Sequence, residues 1–134
     1  MRRGSGKIRT GILYSLEASW WLDGGMTQPP VTYGFSATMT ARAGLGDELI
    51  ALVLSGLDEG NPAASEYCLV YLVSRSATNP DVIHLIEGWT SEEDHHRLFA
   101  SEAAKALVAR FSELLEGESS YGDLVPVGGK AVFA

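Results

Sequence analysis

The stretch from Val82 to Gly117 limits what this chain can fold into more than any other. Ile83, Leu85, Glu87 and Trp89 alternate with Val82, His84, Ile86 and Gly88, and a period of two is the pattern of a strand whose neighbouring side chains point to opposite faces. Such a strand carries an indole and a carboxylate on one face and an imidazole on the other. Thr90 comes next, three residues before Glu93, which is the spacing of a capping box. Glu92, Glu93 and Asp94 suit the positive end of a helix dipole. Ser101 can cap a second helical segment, in which Ala104, Leu107, Val108, Phe111, Leu114 and Leu115 form one stripe of a 3.6-residue period ended by Gly117. That apolar stripe needs a sheet to cover.

The residues upstream supply the sheet. Val31, Tyr33, Phe35, Ala37, Met39 and Ala41 alternate with Thr32, Gly34, Ser36, Thr38, Thr40 and Arg42, predicting a long strand. Ala43-Gly44-Leu45-Gly46 breaks it, Asp47 can cap a helix, and Ile50, Val53, Leu54 and Leu57 trace that helix's apolar stripe. Cys68 to Val73 is a continuous apolar run, the pattern of a strand buried on both faces. Asn79-Pro80-Asp81 is turn chemistry, so a hairpin links it to the strand at Val82. After Gly117 a loop with Ser119, Ser120 and Tyr121 leads to a last strand at Leu124 to Val127, where Pro126 confines it to an edge, and Gly128 to Ala134 reads as a tail. The order is βαββαβ. It predicts an α+β fold of the ferredoxin-like, split βαβ kind, a four-stranded antiparallel sheet with both helices on one face. The uncovered face still carries apolar side chains, and at about 25 cal/mol per Å2 leaving it wet would forgo many kcal/mol, so a homodimer is expected.

Composition bounds the rest. With 134 residues, 46% hydrophobic and 20% charged, the chain suits one domain, taken as 31–134, preceded by an extension at 1–30. A formal charge of -7 works against nucleic acid and anionic membrane surfaces. Cys68 is the only cysteine, which excludes an intrachain disulfide and fits a reducing, cytoplasmic setting. No apolar run approaches the ~20 residues that span a bilayer. In the extension, Arg2, Arg3, Lys7 and Arg9 precede an apolar run interrupted by Glu17, unlike a secretory signal. Gly4-Ser5-Gly6-Lys7 lacks the spacing of a phosphate loop. The segment reads as a peripheral arm with Met26 as a natural domain start, or as a docking arm through Trp20 and Trp21.

From about Thr32 to Lys130 the chain resembles the antibiotic biosynthesis monooxygenase family, the dimeric α+β barrel group that includes the YgiN-like quinol monooxygenases. The residues that carry the resemblance are Ala41-Arg42-Ala43-Gly44-Leu45-Gly46-Asp47-Glu48-Leu49 after the first strand and Glu87-x-Trp89 at the end of the third. Ser101 to Leu115, leading to Leu124-Val125-Pro126-Val127, completes it. The resemblance implies a pocket between sheet and helices in which dioxygen oxidises a phenolic, quinol-type or polycyclic aromatic substrate without metal, flavin or haem. The protein there removes a proton and shields the resulting carbanion from water. It implies Trp89 and Glu87 as catalytic residues and Tyr71, His84, His95 and Phe111 at the substrate, with His96 a further polar candidate. The chain departs from the family pattern at Leu85, where oxygenase members carry Asn four residues before the Trp. It departs again at Leu98 and Phe99, where many members carry a His in the following helix, and this argues against haem ligation.

Each candidate also has a structural reading. Trp89 can fill the core, Glu87 can pair with Arg75 across the hairpin, His95 and His96 can be solvated at a helix start, and His84 can be a hydrogen-bonded residue of a subunit interface. Adjacent histidines on a helix diverge by about 100 degrees, so no metal site is expected. The alternative to an oxygenase is a non-catalytic homodimer of the same fold that binds a small molecule. An oxygenase requires an enclosed, ring-sized space with converging polar groups, whereas a packed core would close it with Trp89 and Phe111.

Overall fold

The computed structural model describes residues 30–130. Trp20, Trp21 and the basic start of the chain lie outside the described residues, as do the last four. The elements are β1 (Tyr33–Thr40), α1 (Gly46–Leu54), β2 (Cys68–Arg75), β3 (Val82–Trp89), α2 (Glu92–Phe99), α3 (Glu102–Phe111) and β4 (Ser120–Leu124). Two single turns of 3-10 helix, Ser55–Leu57 and Pro62–Ala64, fill the loop between α1 and β2. The strands form one antiparallel sheet in the order β2-β3-β1-β4. The expected ferredoxin-like α+β architecture is therefore present, with β3 and β1 at its centre.

Register follows from side-chain parity. Tyr33 pairs with Trp89, Ala37 with Leu85 and Met39 with Ile83 across β1 and β3, which puts all of these on the face that the helices cover. The core gathers there, with Leu49, Val53, Ile83 and Trp89 fully buried and Ala37, Met39 and Leu85 nearly so. On the open face, Ile86 and Leu124 are 38% and 41% exposed, beside the half-buried Val70, Leu72 and Val82.

Several local expectations are corrected. β2 is an edge strand of intermediate burial, not one buried on both faces, because only one of its faces meets α1 and the 3-10 turns. Asp47 does not cap α1: the Asp81 carboxylate, reaching over from the β2–β3 turn, accepts the amides of Gly44 and Gly46 at 3.0 Å each. A side chain at Gly46 would collide with the Pro80 carbonyl, so glycine permits this approach. α2 is capped one residue later than the box spacing suggests. Ser91 accepts the Asp94 amide at 3.0 Å, while the Thr90 hydroxyl donates to the Asp94 carboxylate. Ser101 caps α3 as expected, accepting the Ala104 amide at 3.2 Å. α3 ends at Phe111, before Gly117; Leu114 and Leu115 instead accept and bridge to the end of β1 through Arg42 and Ala41. The last strand begins at Ser120 where a loop was expected, its register set by backbone pairing of Tyr121 with Ala37 rather than by an apolar pattern. Among the described residues no helix is long and apolar enough to cross a membrane.

Candidate active site

The alternation of β3 delivers Glu87 to the helix-covered face in the middle of the sheet. Its neighbours across the strands are Tyr71 on β2 and Phe35 on β1, so a carboxyl group stands between two aromatic rings. α2 crosses above, and its period of about 3.6 residues turns His95 and Phe99 down together. Leu107, Val108 and Phe111 of α3 and Pro62 and Ala63 of the 3-10 turn complete a cavity of about 260 Å3. Gly56 is required at its edge, because a Cβ there would lie 2.7 Å from the Tyr71 hydroxyl. That hydroxyl donates to the Val53 carbonyl at 2.7 Å.

The polar end of the cavity is a chain of three side chains. The Trp89 indole N–H donates to Glu87 Oε1 at 2.7 Å, and His95 Nε2 lies 3.8 Å from the same oxygen. The imidazole is caged by aromatic rings, with centroids of Phe99, Trp89, Tyr33 and Phe35 at 4.7, 5.2, 5.2 and 5.3 Å. Its Nδ1 is buried without a hydrogen-bond partner. Burial pushes the Glu87 carboxyl up from 4.5 to about 7, against the opposing indole hydrogen bond. Burial, aided by neighbouring His96 and opposed by Asp123, pushes His95 down from 6.5 to about 4. Burial disfavours the charged form of each, so both are neutral between about pH 4 and 7, and above that range Glu87 ionises beside a neutral imidazole. A carboxyl poised there can accept a proton from a bound acid and hold it away from water.

The structure brings together Glu87, Tyr71, His95 and Phe111 on the cavity wall. Trp89 is completely buried and stands behind Glu87, beneath His95 and Phe99, so it touches the carboxylate and does not line the cavity. His84 is set apart by parity. It lies exposed on the open face of the sheet, where its Nδ1 is 3.1 Å from the Thr38 hydroxyl. The pairing of Glu87 with Arg75 does not form, because Arg75 binds Asp47 at 2.7 Å and the Pro80 carbonyl at 3.1 Å. His96 is exposed, 3.8 Å from Glu92. No group of three potential metal ligands occurs among the described residues.

Sequence reasoning missed Phe35, Phe99 and Tyr121. Phe35 shares its strand face with Ala37 and Met39, and Phe99 follows His95 by four residues, so both were within reach of period arguments. Tyr121, whose ring stacks on Phe35 at 5.7 Å, sits in a strand too short and polar to announce itself. Tyr33 is a further case: its hydroxyl donates to Asp123 at 2.8 Å, and burial with that acceptor raises its pKa.

The model of the family described as antibiotic biosynthesis monooxygenase matches residues 32–110. The chain belongs to that family. The monooxygenase-family fold is also that of a candidate antibiotic biosynthesis monooxygenase from Chloroflexus aurantiacus, 28% identical over 76% of this chain and 99% of that one, with a TM-score of 0.64. A conserved protein from Methanosarcina mazei is 21% identical over 73% of this chain and 95% of its own, TM-score 0.64. A second candidate antibiotic biosynthesis monooxygenase, from Deinococcus radiodurans, is 16% identical over 76% of this chain and 99% of its own, TM-score 0.62. No protein of curated function matches the chain.

Proposed function

We propose that this family member oxygenates a phenolic or quinol-type aromatic compound with dioxygen, using Glu87 as the proton acceptor. The observation that carries the reading is a buried carboxyl, its pKa raised to about 7, in the wall of a ring-sized and largely apolar cavity. Loss of a proton to Glu87 turns the ring into an electron-rich anion, which supplies the electrons that dioxygen takes up. For a two-ring quinol one oxygen atom is added to a ring carbon, giving the hydroxyquinone, and the other leaves as water with two of the quinol's hydrogens. The apolar wall protects the anion from reprotonation by solvent. Trp89 is a positioning residue in this scheme, holding one carboxylate oxygen so that the other is free for the substrate.

We also propose that the chain works as a homodimer through the open sheet face. Its exposed Ile86 and Leu124, next to Val70 and Leu72, support this reading, and His84 then becomes an interface residue.

Oxygen uptake against a panel of one- and two-ring phenols and hydroquinones, with Glu87→Gln beside the wild type and after chelation, tests the activity. Uptake above the spontaneous rate that falls at least a hundredfold in Glu87→Gln is the expected result. A background rate unchanged across the panel overturns it and leaves small-molecule binding as the function of the cavity.

A further inference from the structure

The cavity wall offers few polar side chains: Glu87, His95, Tyr71 and Tyr121. Tyr71 is already engaged with the Val53 carbonyl, and Tyr121 is 65% exposed to solvent. That leaves Glu87 and His95, whose side chains are 2% and 10% exposed and lie 3.8 Å apart. One oxygen of Glu87 is held by the Trp89 indole. The imidazole keeps an unpartnered nitrogen in a cage of aromatic rings, a position that an apolar side chain would fill without leaving a polar atom unpaired. Such a group needs an explanation beyond packing.

We propose that His95 is a specificity-determining residue: with Glu87 it makes the single polar end of this cavity and selects uncharged ligands of one or two rings that carry a hydroxyl group. A hydroxyl brings one donor and its lone pairs, which a neutral carboxyl–imidazole pair can meet. A ring carboxylate would bring charge beside an acid, into a wall that contains no Lys or Arg. A ring ammonium would bring three donors to a wall with too few free acceptors. Size sets the other limit. An apolar cavity of ~150 Å3 holds benzene, so about 260 Å3 suits one substituted ring or two fused rings. The inference rests on the oxygenase reading of the same cavity but concerns binding, which needs no turnover.

Anaerobic titration with 2-naphthol, naphthalene, 2-naphthoate and naphthylmethylammonium, read by tryptophan fluorescence, tests it on the wild type, His95→Leu and His95→Asn. The wild type should bind 2-naphthol about tenfold more tightly than naphthalene, the worth of one net hydrogen bond, and more tightly than either charged compound. His95→Leu should bind naphthalene as the wild type does and lose the preference for 2-naphthol; His95→Asn should keep part of it. A preference for 2-naphthol that survives in His95→Leu overturns the proposal. So does tightest binding of a charged compound, or no binding of any compound by the wild type. A His95-dependent preference without oxygen uptake on any phenol sustains this proposal and overturns the oxygenase reading; uptake with a His95-independent preference does the reverse.

Discussion

Replacing Glu87 with Gln should change how stability depends on pH, in a direction and by an amount that the structure fixes. The carboxyl moves from 4.5 to about 7 on folding, which at ~1.4 kcal/mol per pKa unit corresponds to roughly 3 kcal/mol. Between those two values the native state keeps a proton that the unfolded chain has lost. Stability is therefore fully present below pH 4.5 and falls as pH rises towards 7. His95 acts in the opposite sense. From 6.5 down to about 4 the unfolded chain takes up a proton that the native state refuses, so this group makes stability rise with pH, again by roughly 3 kcal/mol. In the wild type the two slopes oppose one another between pH 4.5 and 6.5. Gln preserves the shape and an oxygen for the Trp89 indole but removes the first slope. Relative to the wild type, Glu87→Gln should gain roughly 3 kcal/mol as pH is raised from about 4.5 to about 8. Urea unfolding followed by circular dichroism at pH 4.5, 6 and 8 measures this, and the difference between the proteins isolates Glu87 because all other titrating groups are shared. Parallel stability curves would refute the reasoning, since they would mean that the carboxyl is not desolvated on folding.

Trp89→Phe removes the indole donor from Glu87 Oε1 and leaves a gap at a fully buried site. A loss of roughly 3 kcal/mol on urea unfolding is expected, with the Glu87 pKa, followed by carboxyl 13C NMR, moving upwards. Asp81→Ala leaves the Gly44 and Gly46 amides without their acceptor and should destabilise the fold by about 1–2 kcal/mol, read from the denaturation midpoint. Ile86→Lys places a charge on the open sheet face; sedimentation should then give a monomer where the wild type gives a dimer, and unchanged mass would remove the support for that interface.

The fold was legible because its central strands announce themselves. In β1 and β3 one face is buried and the other is not, so period-two alternation named the covered residues individually, from Tyr33 to Met39 and from Ile83 to Trp89. Edges were harder to read. β2 is a run of apolar residues whose pattern cannot distinguish burial on two faces from burial on one, and in β4 the pairing is made by the backbone of a polar segment. Caps were misplaced for a different reason. Asp47 and Thr90 stand at suitable local spacings, but Asp81 arrives from a distant turn and Ser91 lies one residue nearer the helix. Local sequence has no access to the first of these, and boundary precision is insufficient for the second.

The candidate site shows why Glu87 was readable and the environment of His95 was not. A carboxylate on the same strand face as Ile83, Leu85 and Trp89 must be buried if they are, so parity alone flagged it. His95 sits next to three acidic residues at the start of a short helix, a context in which histidines are usually solvated. Its burial depends on α2 lying across the sheet with His95 and Phe99 turned towards the cavity, and that crossing is tertiary. The consequence is a site whose acid comes from the sheet and whose imidazole comes from the helix, with burial outweighing each partner that favours a charge, Asp123 for His95 and the Trp89 indole for Glu87. Its chemistry is thus held in place by exclusion of water. Opening the roof formed by Leu107 and Phe111 would return both groups towards their ordinary values, leaving an ionised carboxylate too weak a base to serve near neutral pH.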